Sequence, residues 1–186
     1  MTGLIIVLVI VVVLGFLLMG TYNRLVGLRQ RANQAFADID VQLQQRHDLI
    51  PNLVETVKGY ATHESSTLEA VTAARAAASS ARTVDDKVAA ENQLTGALRQ
   101  LFAVAEAYPD LKANQNFLSL QSELADIENK LAAARRFFNS AVGEQNAAAQ
   151  QFPAVLIAPM FGFTQRPFFD VGADREAVAA APQVKF

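Results

Sequence analysis

The sequence contains no cysteine and no tryptophan among its 186 residues. The absence of cysteine excludes disulfides, thiolate zinc sites, iron–sulfur clusters and cysteine nucleophiles. An excess of charge of one sign is missing too, because 16 Lys and Arg nearly balance 18 Asp and Glu, for a formal net charge of −2. Nucleic-acid binding needs a clear basic excess or a basic stripe, so we expect no nucleic-acid partner.

Charge is also absent from the N-terminal region, where the first charged side chain belongs to Arg24. The uncharged stretch from Gly3 to Tyr22 spans about 30 Å as a helix, which matches the hydrocarbon thickness of a bilayer. A buried core helix or a cleaved signal peptide fits less well, because the stretch is long and lacks a basic start and a cleavage site. We therefore expect residues 1–22 to form a single-pass anchor whose partner is the lipid bilayer. The expected anchor side chains are apolar: Leu4, Ile5, Ile6, Val7, Leu8, Val9, Ile10, Val11, Val12, Val13, Leu14, Phe16, Leu17 and Leu18.

The orientation of the anchor follows from the asymmetry of basic residues on its two sides. The N-terminal flank has no Lys or Arg, whereas Arg24, Arg29 and Arg31 follow the apolar stretch closely. Basic flanks remain on the cytoplasmic side, so we expect the C-terminal domain to lie in the cytoplasm.

Proline and glycine are scarce between residues 21 and 150, and apolar residues recur there at steps of three and four. This spacing is typical of long amphipathic helices. It predicts an all-α fold in which residues 23–152 form an antiparallel bundle of long helices standing on the membrane anchor. Since the apolar stripe keeps its phase across Pro51, we expect residues 23–78 to form one helix or two nearly collinear ones, bent around His47–Pro51.

The remaining helix limits follow from local signals. Thr83 precedes two aspartates and is typical of a helix N-cap. The next helix is expected to end at Tyr108, because the residue before a proline is pushed out of helical geometry. The last helix carries a regular apolar stripe from Phe117 to Phe152.

Four of the six prolines lie beyond Phe152, so residues 153–186 are predicted to form an extended, Pro/Phe-rich C-terminal tail. The tail is too apolar to be left in water, and it either folds back on its own bundle or contacts a neighbouring subunit or partner. Membrane binding by the tail fits less well, because Gln165, Arg166 and Asp170 interrupt it and it lacks the basic face of an interfacial helix. The candidate contact residues are large and apolar: Phe152, Leu156, Met160, Phe161, Phe163, Phe168 and Phe169.

The polar residues indicate little chemistry. His47 and His63 with Asp48 and Glu64 make only a weak zinc hypothesis, because two histidines without cysteine rarely form a site. A position at a bundle seam for His47 and near a helix end for His63 explains them better. Nucleophile-elbow and phosphate-binding motifs are missing from the sequence, so we expect no enzymatic activity, no catalytic or metal-binding residues and no cofactor. Arg135 is expected to form a register-setting ion pair with Asp40, Asp48 or Glu55, and a polar site for a partner is the alternative.

Several segments together resemble the LemA family of bacterial membrane proteins. Residues 22–26 read YNRLV, residues 39–43 read IDVQL, residues 46–60 read RHDLIPNLVETVKGY and residues 105–114 read AEAYPDLKAN. FLSLQ at 117–121 and AARRFFN at 133–139 match as well, although the family commonly has tyrosine near the second of these. The resemblance covers roughly residues 20–170 and implies a one-span protein of the bacterial cytoplasmic membrane with a helical domain.

The resemblance implies no established enzymatic activity, and one relative takes part in building bacterial membrane organelles. We therefore expect a non-enzymatic membrane scaffold that forms homo-oligomers and takes part in membrane organisation or remodelling. An accessory or sensor subunit that couples an unidentified membrane protein to the bilayer is the alternative. The size of the particle in mild detergent discriminates between the two functions.

Overall fold

The computed structural model describes residues 1–61 and 63–169, and every regular element within these ranges is helical. This confirms the predicted all-helical fold with a long apolar helix at the N-terminus. The elements in chain order are α1 (Thr2–Lys58), α2 (Ser65–Ser80), α3 (Val84–Glu106), α4 (Pro109–Lys112), α5 (Gln115–Gln150), α6 (Ala154–Ile157) and a 3₁₀ turn at Pro159–Phe161.

Helix α1 has 57 residues and begins with the predicted anchor. Its N-terminal part is long and apolar enough to cross a membrane. The side chains of the predicted anchor residues are all exposed, as lipid-facing side chains would be. Pro51 lies inside α1 and does not end it. The expected continuity across Pro51 is therefore confirmed up to Lys58.

The prediction of one helix or two nearly collinear helices over residues 23–78 is wrong, because α1 ends at Lys58 and α2, which begins at Ser65, contacts the middle of α1 instead of continuing it. Gly59, a poor helix former, follows the last residue of α1, and the amides of Tyr60 and Ala61 both donate to the carbonyl of Val57. Ala61 is buried. The chain then turns back, since the late α2 residue Arg75 contacts the middle of α1. Apolar spacing cannot register this reversal, because the stripe resumes in α2.

The other helix limits agree with the local signals. The Thr83 hydroxyl accepts a hydrogen bond from the amide of Asp86, which confirms the predicted cap of α3. Helix α3 ends at Glu106, two residues before the predicted limit, and Pro109 occupies the first turn of α4. The Asn114 side chain caps α5 by accepting from the amide of Phe117.

The chain forms two compact units. The first consists of residues 1–40 and 132–168, and part of its core is a cluster of Leu25, Ala148, Ala154, Ala158 and Phe163. The second contains residues 41–131, and its core includes Leu53, Val71, Leu94, Leu101 and Phe117. The predicted division into residues 1–22, 23–152 and 153–186 stays a prediction.

Candidate functional site

Two charged residues of the second unit occupy positions at which the helical stripes would place apolar side chains. Arg46 lies on α1 between the buried residues Leu43 and Ile50, and Glu91 lies on α3 three residues before the buried Leu94. Both side chains are buried almost completely. An isolated buried charge is very costly, so the fold must provide each of these two with partners.

The two charges bind each other. Arg46 Nη1 lies 2.6 Å from Glu91 Oε2, and Arg46 Nη2 lies 2.7 Å from Glu128 Oε1 on α5. The same Nη2 donates to the hydroxyl of Thr95 at 3.0 Å. Helices α1, α3 and α5 therefore meet at one guanidinium, whose planar geometry suits several acceptors at once.

The second carboxylate oxygen of Glu91 binds the adjacent residue of α1. Glu91 Oε1 lies 2.7 Å from His47 Nε2, and Ser79 Oγ on α2 lies 3.2 Å from His47 Nδ1. An ionised carboxylate only accepts hydrogen bonds, so Nε2 carries a hydrogen and donates it to Glu91. Nδ1 accepts from the Ser79 hydroxyl when the ring is neutral and donates to the Ser79 oxygen when the ring is charged. The network thus also includes α2.

Pro51 explains a further contact of His47. A proline has no amide hydrogen, so Pro51 leaves the carbonyl of His47, four residues earlier, without its helical donor. Arg75 on α2 supplies the missing donor, since its Nε lies 2.8 Å from the His47 carbonyl oxygen. The proline therefore creates an acceptor on α1 that α2 can bind.

The electrostatics of Glu91 follow from these contacts. Burial alone raises the pKa of Glu91, but the hydrogen bond from His47 and the charge of Arg46 lower it more. The charge of His47 and the hydrogen bond from Arg46 act in the same direction, so the pKa of Glu91 lies below its ordinary value. Glu91 is therefore ionised at neutral pH in spite of its burial.

The order Ser79–His47–Glu91 resembles a serine–histidine–acid triad, which would need N–H donors beside the serine to stabilise an oxyanion. Ser79 lies in the last turn of α2, where free backbone groups are carbonyls and the helix dipole is negative. The neighbouring Ser80 hydroxyl donates to the carbonyl of Ala77 there. This environment disfavours an oxyanion, and the arrangement suits joining four helices in a defined register.

The histidines lie where the seam interpretation predicts. His47 on α1 is buried, with its side chain facing α2 and α3. His63 lies in the turn before α2, and Glu64 is the N-cap residue of that helix. The pair Arg46–Glu91 was not predicted from the sequence. The register-setting role was assigned instead to Arg135, whose expected pairing stays a prediction. The signal was available, because a charged residue at the apolar position of a stripe indicates a buried ion pair.

The predicted contact residues of the tail divide into two groups. Phe163 and Phe169 are buried within the chain. The assignment of the seven side chains as contacts stays a prediction. The other candidates are exposed: Phe152, Leu156, Met160, Phe161 and Phe168. The tail is also not extended over residues 154–161, where α6 and the 3₁₀ turn form. Residues 170–186 of the predicted tail lie outside the described residues.

The tail is held against the first unit by specific contacts. The Tyr22 ring meets Phe161 and Phe163 edge to face, at centroid distances of 5.0 and 5.8 Å. The guanidinium of Arg29 lies 4.8 Å from the centre of the Phe163 ring. These contacts are of cation–π and aromatic type, and they attach the tail to the part of α1 that directly follows the apolar stretch.

Comparison with known proteins assigns the chain to a family. Residues 35–186 match the sequence model of the LemA family. The chain belongs to the LemA family.

Relatives include the magnetosome protein MamQ of Magnetospirillum gryphiswaldense, which is 24% identical over 189 residues. That alignment covers 88% of this chain and 70% of the relative. The magnetosome proteins MamQ 1 and MamQ 2 of Paramagnetospirillum magneticum are each 24% identical over 95 residues, covering 51% of this chain but only 35% of each relative.

Proposed function

We propose that this protein is a non-enzymatic structural protein that spans the bacterial cytoplasmic membrane once, self-associates there and takes part in membrane organisation or remodelling. The observation that carries the proposal is the continuity of α1, which passes from the apolar anchor into the folded part of the first unit without a linker. A continuous helix transmits the orientation of the anchor to the domain. Such rigidity suits a scaffold better than a tethered catalytic domain.

The same proposal includes an antiparallel arrangement of the long helices and a cytoplasmic location for the domain. Arg24, Arg29 and Arg31 support the cytoplasmic side. Arg29 stacks on Phe163 and Arg31 pairs with Glu144 at 2.9 Å, so these two arginines also serve the fold. The names of the relatives, magnetosome proteins, support a role at a bacterial membrane structure.

Self-association is supported by tethering. A one-span anchor places every copy on one surface in one orientation, which raises the effective concentration for lateral contact. The test is the mass of the full-length protein in mild detergent and in lipid nanodiscs. A defined multimer without other proteins supports the scaffold, whereas a monomer in both media contradicts it and favours an accessory subunit that needs a different partner.

The membrane side is tested separately with reporter fusions at Phe186. We expect a fluorescent cytoplasmic reporter to be active there and alkaline phosphatase to be inactive. An active phosphatase fusion would place the domain on the other side of the membrane. The same fusions are made with Arg24→Gln, which removes the exposed arginine nearest to the span and leaves the contacts of Arg29 and Arg31 in place. This variant separates the effect of a flanking charge on orientation from effects on the fold.

A further inference from the structure

We infer that the exposed apolar side chains of residues 152–161 insert into the lipid interface beside the membrane span, as a second attachment to the bilayer. This inference rests on the anchoring described under the proposed function. The side chains are Phe152, Val155, Leu156, Met160 and Phe161, and we call them the apolar turn. Phe152 and Met160 are 81% and 79% exposed, which is unusual for such large apolar groups in a compact fold.

The opposite side of this segment is packed onto α1. Ala154 and Ala158 are buried and form a cluster with Leu25, Ala148 and Phe163. A small cleft is lined by Thr21, Arg24 and Leu25 on one side and by residues 151–154 on the other. The segment is therefore fixed beside residues 21–25 and directs its exposed side chains away from its own unit.

The position along α1 decides what meets these side chains. The uncharged stretch ends at Tyr22, and a helix of this length is about as long as the hydrocarbon layer is thick. Residues 21–25 then lie at the boundary between hydrocarbon and headgroups. Tyr22 is of the type enriched at this boundary, and it contacts Phe161. In every copy of the protein, the span is surrounded by lipid at this depth. Because the apolar turn lies next to the span, lipid is the partner that its position favours.

The polar residues of the tail lie farther from the span. The backbone amide and carbonyl of Arg166 bind the side chain of Asn146, and its guanidinium donates to Asn33 Oδ1 at 2.6 Å. Asn33 follows Tyr22 by three helical turns, or about 16 Å along the axis. Gly162, with a φ of 69°, ends the 3₁₀ turn in the left-handed region. The tail thus leaves the level of the bilayer after the apolar turn.

The absence of native cysteine makes a direct depth measurement possible in the full-length chain. Single variants Met160→Cys, Gln165→Cys and Val11→Cys are labelled with bimane and reconstituted in phosphatidylcholine vesicles. Some of the lipids carry bromine near the headgroup end of the acyl chain and others near its middle. Gln165 is the matched control for Met160, because it is exposed in the same tail beyond Gly162. Val11 reports the span itself, and circular dichroism checks the helicity of each variant.

We expect shallow bromines to reduce the emission of the label at Met160 about twofold and to leave Gln165 unchanged, while central bromines quench Val11. A Met160 label that is unquenched and reacts with water-soluble reagents as Gln165 does would overturn the inference, with the anchor intact. Protection from both lipid and water, with self-quenching between labels, would also overturn it and assign the turn to a neighbouring subunit. An unquenched Val11 would contradict the anchor, and with it the proposed function.

Discussion

The Nε atom of Arg75 lies 2.8 Å from the backbone carbonyl oxygen of His47, the oxygen that Pro51 deprives of its helical partner. A local defect in α1 therefore becomes a tertiary contact with α2. The side chain of the same histidine binds Glu91 on α3, so the turn of α1 from Arg46 to Pro51 is bound to its neighbours through both backbone and side chains. The buried network and the helix defect are therefore directly connected through His47.

Arg75 and Pro51 should be energetically coupled. We expect Arg75→Met to lower the free energy of unfolding by about 1.5–3 kcal/mol, because it removes a charged donor from a carbonyl without another partner. In the background Pro51→Ala, the new backbone amide at position 51 can donate to that carbonyl. The loss from Arg75→Met should then fall by about 1 kcal/mol or more. The coupling is measured by urea unfolding in detergent, followed by circular dichroism, of the native protein, the two single variants and the double variant. Additive effects of the two substitutions would contradict it.

The buried ion pair should behave differently from an exposed one. We expect Arg46→Met alone to cost about 3–5 kcal/mol, because Glu91 is left charged and buried. The double variant Arg46→Met/Glu91→Leu should cost less than the sum of the single changes. The control is Arg31→Met, which breaks the exposed pair with Glu144 and should cost about 1 kcal/mol or less. Equal losses at Arg31 and Arg46 in urea titrations would argue against the assigned role.

The stability of the network should decrease in acid. The pKa of Glu91 is lower in the folded protein than its ordinary value of 4.5. The folded state therefore binds the proton less readily, and the stabilisation is complete above that value and disappears as the pH falls through the lower, folded pKa. The difference in unfolding free energy between the native protein and Glu91→Gln should be largest at neutral pH and narrow in acid. A difference that stays constant with pH would refute this linkage.

Substitutions of two nearby phenylalanines of the tail should differ in their effect on stability, because one ring is buried and the other is largely exposed. Phe163→Ser should cost about 3–5 kcal/mol, because the ring is buried against Leu25 and Tyr22. Phe161→Ser should cost about 1 kcal/mol, since its ring is exposed apart from the edge contact with Tyr22. Thermal unfolding in detergent compares them, with helicity as the control. A similar loss in both variants would show that the tail packs differently from the described contacts.

Local signals predicted much of the helical architecture. The cap at Thr83 depends on one hydroxyl and one amide three residues later, and the break before Pro109 depends on a single steric clash. The regular stripe from Phe117 predicted α5, because a repeat of three and four residues is a property of one helix alone. The candidate site was harder, since the prediction placed a register-setting arginine at Arg135 and overlooked Arg46.

Length, periodicity and motifs are encoded in neighbouring residues. The apolar helix of membrane-spanning length, the helical class and the family membership could therefore be predicted without a structure. The reversal of the chain after Lys58, the charges that are buried together and the tail phenylalanines that remain exposed became visible only in the folded chain. These features depend on contacts such as Arg46–Glu91 and Leu25–Phe163, between residues far apart in the chain. A stripe shows that a side chain is buried, but its partner is chosen by the packing of helices against each other.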